Sequence, residues 1–98
     1  MILKMVITPL SKYQIAETKT YEKVKKKINK KLYSKIESFV YPQLRENPFY
    51  GTNIKKLKDN LEGYYRYRIG NYRLFYFIEN DKLIIAVVDF KHRQQAYD

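Results

Sequence analysis

The chain has no cysteine, a single histidine (His92), and ten acidic residues against twenty basic ones. Without cysteine there can be neither a disulfide framework nor a thiolate metal site. One histidine with no carboxylates clustered near it leaves no zinc site, and no cofactor is expected. Long apolar runs are missing too. The longest, Leu83–Val88, is far too short to cross a bilayer. The first residues, Met-Ile-Leu-Lys-Met-Val-Ile, lack the charged start, long apolar segment and small-residue cleavage site of a secretory signal. The cytoplasm is therefore the expected compartment. The shortage of acids leaves a net charge of +10, an excess that solubility does not require and that implies an anionic partner: nucleic acid, an acidic protein or an anionic surface.

What is present is enough for one small domain over residues 1–98. Hydrophobic residues make up 45% of the chain, many of them tyrosines, which bring a polar handle into any core they join. Ile2–Thr8 reads as a first strand ended by Pro9, and Leu10–Thr18 as a short helix with Pro9 and Ser11 at its start. From Tyr21 to about Arg45, Val24, Ile28, Leu32, Ile36, Phe39, Val40 and Leu44 recur every three or four residues, the stripe of an amphipathic helix. Pro42 predicts a kink or a final turn. Asn47-Pro48 and Gly51 mark a loop. Ile54–Leu61 is a lysine-rich connection that turns Leu57 and Leu61 toward the core. Strands are predicted at about Tyr64–Ile69, Tyr72–Glu79 and Leu83–Phe90, the last two joined by an Asn80-Asp81 turn, with a polar tail after them. The fold class is α+β: a small, mainly antiparallel sheet packed on an N-terminal helical hairpin, in the order βααβββ.

The Tyr-Tyr-Arg-Tyr-Arg-Ile-Gly-Asn-Tyr-Arg-Leu-Phe-Tyr stretch, residues 64–76, carries most of the functional signal. A two-residue Gly70-Asn71 loop sets Ile69 opposite Tyr72, Arg68 opposite Arg73, Tyr67 opposite Leu74 and Arg66 opposite Phe75. Alternation then puts Tyr65, Tyr67, Ile69, Tyr72, Leu74 and Tyr76 on one face. Arg66, Arg68 and Arg73 share the other with Tyr64, Phe75 and Phe77. Like charges directly opposite one another destabilise a sheet, so three gathered guanidiniums suggest an anionic ligand. Guanidiniums beside aromatic rings suit RNA, whose phosphates accept paired donors and whose bases stack.

Two further basic segments matter less by themselves. The run from Lys23 to Lys31 reads first as a solvated helix face. Within it Lys26, Lys27 and Lys30, with Lys58 further on, would add salt-sensitive attraction to phosphate backbones. The tail brings Lys91, His92, Arg93 and Tyr97, groups able to move protons, contact phosphate or stack on bases.

Gly-Tyr-Tyr-Arg-Tyr-Arg-Ile-Gly-Asn-Tyr-Arg-Leu-Phe-Tyr, then a strand, then His-Arg-x-x-x-Tyr, resembles the RelE/ParE toxin superfamily. The Glu-Asn-Pro-Phe loop and the Ile-x-x-Leu-Lys segment stand in the order that superfamily has. The resemblance covers essentially the whole chain. It implies the toxin of a type II toxin–antitoxin pair, and in the RelE branch a metal-independent endoribonuclease that enters the ribosomal A site. There the ribose 2′-hydroxyl attacks the adjacent phosphate of the mRNA, which stops translation.

By the same resemblance, Arg66 and Arg68 would grip RNA and assist proton transfer, and Arg73 would stabilise the phosphate. Lys91 stands where RelE proper has an arginine, keeping the charge without the bidentate fork. Tyr97 would stack on the base and orient the 2′-hydroxyl, while His92 and Arg93 would supply an acid or a phosphate contact. The partners implied are a cognate antitoxin, the ribosome and mRNA, with operator DNA reached only through the antitoxin complex and no membrane. Two other functions stay open: inhibition of DNA gyrase, as in the ParE branch, and a catalytically weakened member acting through antitoxin and operator binding.

Overall fold

The computed structural model describes residues 12–95. The strand expected at Ile2–Thr8 lies outside them. The first described strand, β1 (Gln14–Glu17), occupies the segment where a short helix was expected. Its alternating exposure, with Ile15 and Glu17 turned inward, is the period of a strand. The helix begins only after Thr18, whose Oγ1 accepts the Tyr21 N–H at 3.2 Å and so satisfies one of the donors a helix start leaves over.

The long helix expected from Tyr21 to Arg45 is divided. Helix α1 (Lys19–Lys25) ends in a turn, and Asn29 caps α2 (Lys30–Lys35) by accepting the Leu32 N–H on Oδ1 at 2.8 Å. The chain then widens into a π turn, Ile36–Val40, before α3 (Tyr41–Glu46). Pro42 explains the widening. It has no N–H to donate, and in a regular helix its ring would strike the carbonyl four residues back. In the π turn the Tyr41 N–H reaches Ile36 O, five residues back, and the helix passes the proline unbroken. Ile36, Val40 and Leu44 are fully buried, whereas Phe39, expected on the same stripe, is carried off it and is 51% exposed.

Five strands form one sheet in the order β1-β5-β4-β3-β2. Strands β3 (Tyr64–Ile69) and β4 (Tyr72–Glu79) have the expected bounds and the expected pairing, Arg68 opposite Arg73 and Ile69 opposite Tyr72. Gly70 turns the chain with φ +56°, a left-handed conformation that glycine adopts without a Cβ penalty. The lysine-rich connection contributes an edge strand, β2 (Ile54–Lys56), followed by a 3₁₀ turn at Asp59–Leu61. Strand β5 (Ile84–His92) starts and ends later than expected, because the β4–β5 loop spans four residues, Asn80 to Leu83, instead of two. Lys91 and His92 therefore belong to the sheet and not to a tail. Strand β1 runs parallel to β5, pairing Ile15 with Ile85 and Glu17 with Val87, while the other pairs are antiparallel. The class is the α+β arrangement with a mainly antiparallel sheet, enlarged by β2.

The helices cover one face of the sheet. Tyr21, Ile36, Val40, Tyr41 and Leu44 meet Tyr67, Ile69, Leu74, Tyr76, Ile85, Val87 and Phe90 in the main core. Its tyrosine hydroxyls are partnered: Tyr67 donates to Gln43 Oε1 at 2.6 Å and Tyr76 to Pro48 O at 2.7 Å. Glu17 accepts from Lys25 Nζ at 2.8 Å, Tyr33 Oη at 2.6 Å and Tyr41 Oη at 2.8 Å, tying β1 to all three helices. Among the described residues no helix is long and apolar enough to cross a membrane.

Candidate functional site

The other face of the sheet grades from apolar to basic in three cross-strand rows. The first runs Leu57, Tyr64, Phe77, Ala86: the Leu57 N–H donates to Tyr64 O, and Tyr64 meets Phe77 edge to face at 5.7 Å. The second is Lys55, Arg66, Phe75, Asp89. The third is Arg68, Arg73, Lys91. Paired residues on one face of neighbouring antiparallel strands lie close enough to interact, so the third row places three cations side by side.

A bulge makes this row possible. Tyr76 pairs with Val87 and Phe75 with Asp89, which leaves Val88 as an extra residue in β5. Beyond it the strand changes phase. Phe90 enters the core and Lys91 joins the arginines. Under unbroken alternation from Val87, Lys91 would have faced the helices and Phe90 the cations.

The guanidiniums are held by backbone carbonyls. Arg66 Nη1 donates to Asn53 O at 2.8 Å, and Arg73 Nη1 donates to Tyr72 O at 3.1 Å and Gly70 O at 3.3 Å. Arg68 is exposed. Lys91 Nζ lies 3.7 Å from Asp89 Oδ2, and Asp89 Oδ1 accepts the Phe90 N–H at 2.8 Å. Asp89 is the one carboxylate in the three rows. Such a surface can bind a phosphate through several charge-assisted donors at once, with a carboxylate beside them able to take up a proton.

The structure thus brings together Arg66, Arg68, Arg73 and Lys91, with Tyr64 at the apolar border. Other candidates among the described residues lie elsewhere. Phe75, expected to offer its ring to RNA, is only 7% exposed and is filled-in sheet, not a stacking surface. His92 points to the opposite face, its ring edge against Tyr72 at 5.4 Å, while its Nδ1 accepts the Gln94 N–H at 3.3 Å. Arg93 begins an exposed 3₁₀ turn, Arg93–Gln95, and its N–H donates to Asn71 O at 2.7 Å. Lys26, Lys27 and Lys30 are exposed on the helical layer, away from the arginine rows, and Lys58 is exposed beyond β2. Tyr97 lies outside the described residues. Among those residues no three histidine, aspartate or glutamate side chains converge on a metal-sized site.

Sequence reasoning missed Lys55 and Asp89. Lys55 was hidden in a connection too short and too charged to read as a strand. Asp89 depends on the bulge: the main-core residues of β5 step by two from Ile85 to Val87, then by three to Phe90.

The sequence profile described as "ParE toxin of type II toxin-antitoxin system, parDE" matches residues 12–97. The chain belongs to this toxin family, within the RelE/ParE superfamily. Its fold is similar to that in the RelBE2 toxin–antitoxin complex from Mycobacterium tuberculosis, with a TM-score of 0.73 and 25% identity over 83% of this chain and 98% of the other. It is also similar to the archaeal RelE–RelB complex from Pyrococcus horikoshii OT3, with a TM-score of 0.68 and 24% identity over 87% and 99%. The YoeB–YefM complex from Staphylococcus aureus gives 0.61 and 28% over 82% and 95%. No curated protein sequence matches the chain.

Proposed function

We propose that this toxin is a ribosome-dependent endoribonuclease that cuts mRNA in the A site without a metal. The observation that carries the reading is the row of Arg68, Arg73 and Lys91 on the sheet face opposite the described helices, with Arg66 in the next row. The ribose 2′-oxygen attacks the neighbouring phosphorus and the bond to the 5′-oxygen breaks, leaving a cyclic phosphate and a 5′-hydroxyl. The cations hold the phosphate in line and take up the charge that gathers on its oxygens. In this reading residues 1–98 are one toxin domain, Tyr97 stacks on the base, and Arg93 adds a contact at the rim. The exposed lysines at 26, 27, 30 and 58 draw in the RNA of the ribosome from outside the cutting face. The place of action is the cytoplasm.

The partner at rest is a cognate antitoxin, as in the RelBE2, RelE–RelB and YoeB–YefM complexes, with operator DNA bound only through that pair. The second reading is a DNA gyrase inhibitor, favoured by the match to the ParE profile. Induction of the chain followed by mapping of new mRNA 5′ ends separates the two. Breaks within codons at stalled ribosomes support the nuclease. Intact transcripts with gyrase-linked DNA breaks would transfer the assignment to the second reading.

A further inference from the structure

At the edge of the sheet, where β2 begins and the π turn lies near the end of β3, there is a cleft of about 340 Å³. Its lining comes from the helical layer, with Lys35, Phe39 and Val40, and from the sheet edge, with Asn53, Arg68 and Ile69 among others. Three features set it apart from ordinary surface. Phe39 is half exposed at a position that the helical stripe would have buried, and the π turn holds it there. Among the described residues no acid lines the cleft, and its two cations, Lys35 and Arg68, are exposed. Arg68 lines the cleft and also belongs to the Arg68, Arg73, Lys91 row, so the cleft adjoins the candidate cutting face at this residue.

We infer that this cleft is a nucleotide subsite for single-stranded RNA, holding the residue next to the phosphate bound at Arg73. The base stacks on Phe39, its edge lies within reach of the Asn53 amide, and Lys35 and Arg68 flank its phosphate. An aromatic ring sharing a cleft with two cationic residues is the pattern by which single strands are held without strong sequence preference. The volume is at the small end of ligand pockets and admits one planar group, not a folded segment. The inference rests on the RNA reading above and adds to it a second nucleotide contact on the helical layer.

Because the chain has no tryptophan, Phe39→Trp puts a single reporter in the cleft. The probe is a short single-stranded RNA with 2′-O-methyl riboses, which lacks the attacking hydroxyl and stays intact. Stacking predicts quenching of the emission by this RNA, and none by inorganic phosphate or a polyglutamate peptide. Phe39→Leu, which keeps bulk and loses the ring face, should weaken binding of the same RNA about five- to one-hundred-fold. It should raise KM for mRNA cleavage on ribosomes with kcat little changed, and Phe39→Tyr should restore both. Undiminished binding by Phe39→Leu, or emission that answers polyglutamate and not RNA, overturns the subsite; the latter would assign the cleft to a protein segment. Quenching by RNA in a chain whose wild type leaves mRNA intact would uphold the subsite while removing the nuclease assignment.

Discussion

The two faces of the Tyr-Arg hairpin are built from the same strands and by opposite rules. Toward the helices, Tyr67 and Tyr76 are buried and each hydroxyl has a partner, so the polar handles fix the packing instead of weakening it. Burial raises the Tyr76 hydroxyl well above its ordinary pKa, which keeps it a donor. On the other face Arg66 and Arg73 lean on backbone carbonyls, and Arg68, Arg73 and Lys91 stand together, with Asp89 as the neighbouring carboxylate among the described residues. A sheet pays for gathering like charges on one face. The helix-facing side is organised for stability, and the other, in the reading proposed above, for a ligand.

Neighbouring residues test this division most severely. Leu74 and Arg73 are adjacent in β4 and point to opposite faces. Leu74→Ala empties a fully buried position and should cost about 2–5 kcal/mol, read as a lower denaturant midpoint. Arg73→Ala should leave the midpoint within about 1 kcal/mol and lower mRNA cleavage on ribosomes about 100- to 1,000-fold. A large loss of stability with Arg73→Ala, or full cleavage by it, would erase the contrast between the faces.

Much of this contrast is legible in residues 64–77, because Gly70-Asn71 permits one short loop and strict alternation then assigns every side chain. Local sequence stops being sufficient wherever a distant partner or a backbone irregularity decides. Strand β1 is four residues long and owes its conformation to a parallel neighbour seventy positions away, Ile85 and Val87 on β5. Asn29 reads as one polar residue in a helix, yet its side chain starts a new one. The wide turn before Pro42 puts Phe39 outside, where periodicity counts it as core. Within the site, the arginines follow from alternation, whereas Lys91 and Asp89 reach their places only through the bulge at Val88.

The faces also differ in how they use a carboxylate. Glu17, on the helical side, is opposed by its own burial, but hydrogen bonds from Lys25, Tyr33 and Tyr41 and the Lys25 charge outweigh this and hold its pKa below the ordinary value of 4.5. The folded state therefore favours the ionised form. The stability this supplies is complete above the unfolded carboxyl value and is lost as pH falls through the lower folded one. Glu17→Gln should cost about 2 kcal/mol at pH 7 and flatten the acid limb of a stability–pH curve. An unchanged acid limb would mean that Glu17 is not the group responsible.

Asp89 should behave in the opposite way. Its ion pair with Lys91 is longer, 3.7 Å against 2.8 Å for Lys25 with Glu17, and both partners are more open to solvent than Glu17 is. Pairs of this kind contribute little. Asp89→Asn keeps an oxygen for the Phe90 N–H and removes only the charge, so denaturation at pH 7 should change by no more than about 0.5 kcal/mol. The same change releases Lys91 to phosphate and takes a repulsive charge out of the row. Binding of the 2′-O-methyl RNA should then tighten and depend more steeply on salt, since one more cation exchanges a counterion for phosphate. Weaker binding, or a loss of stability matching that of Glu17→Gln, would show that Asp89 shapes the arginine face instead of merely restraining one lysine within it.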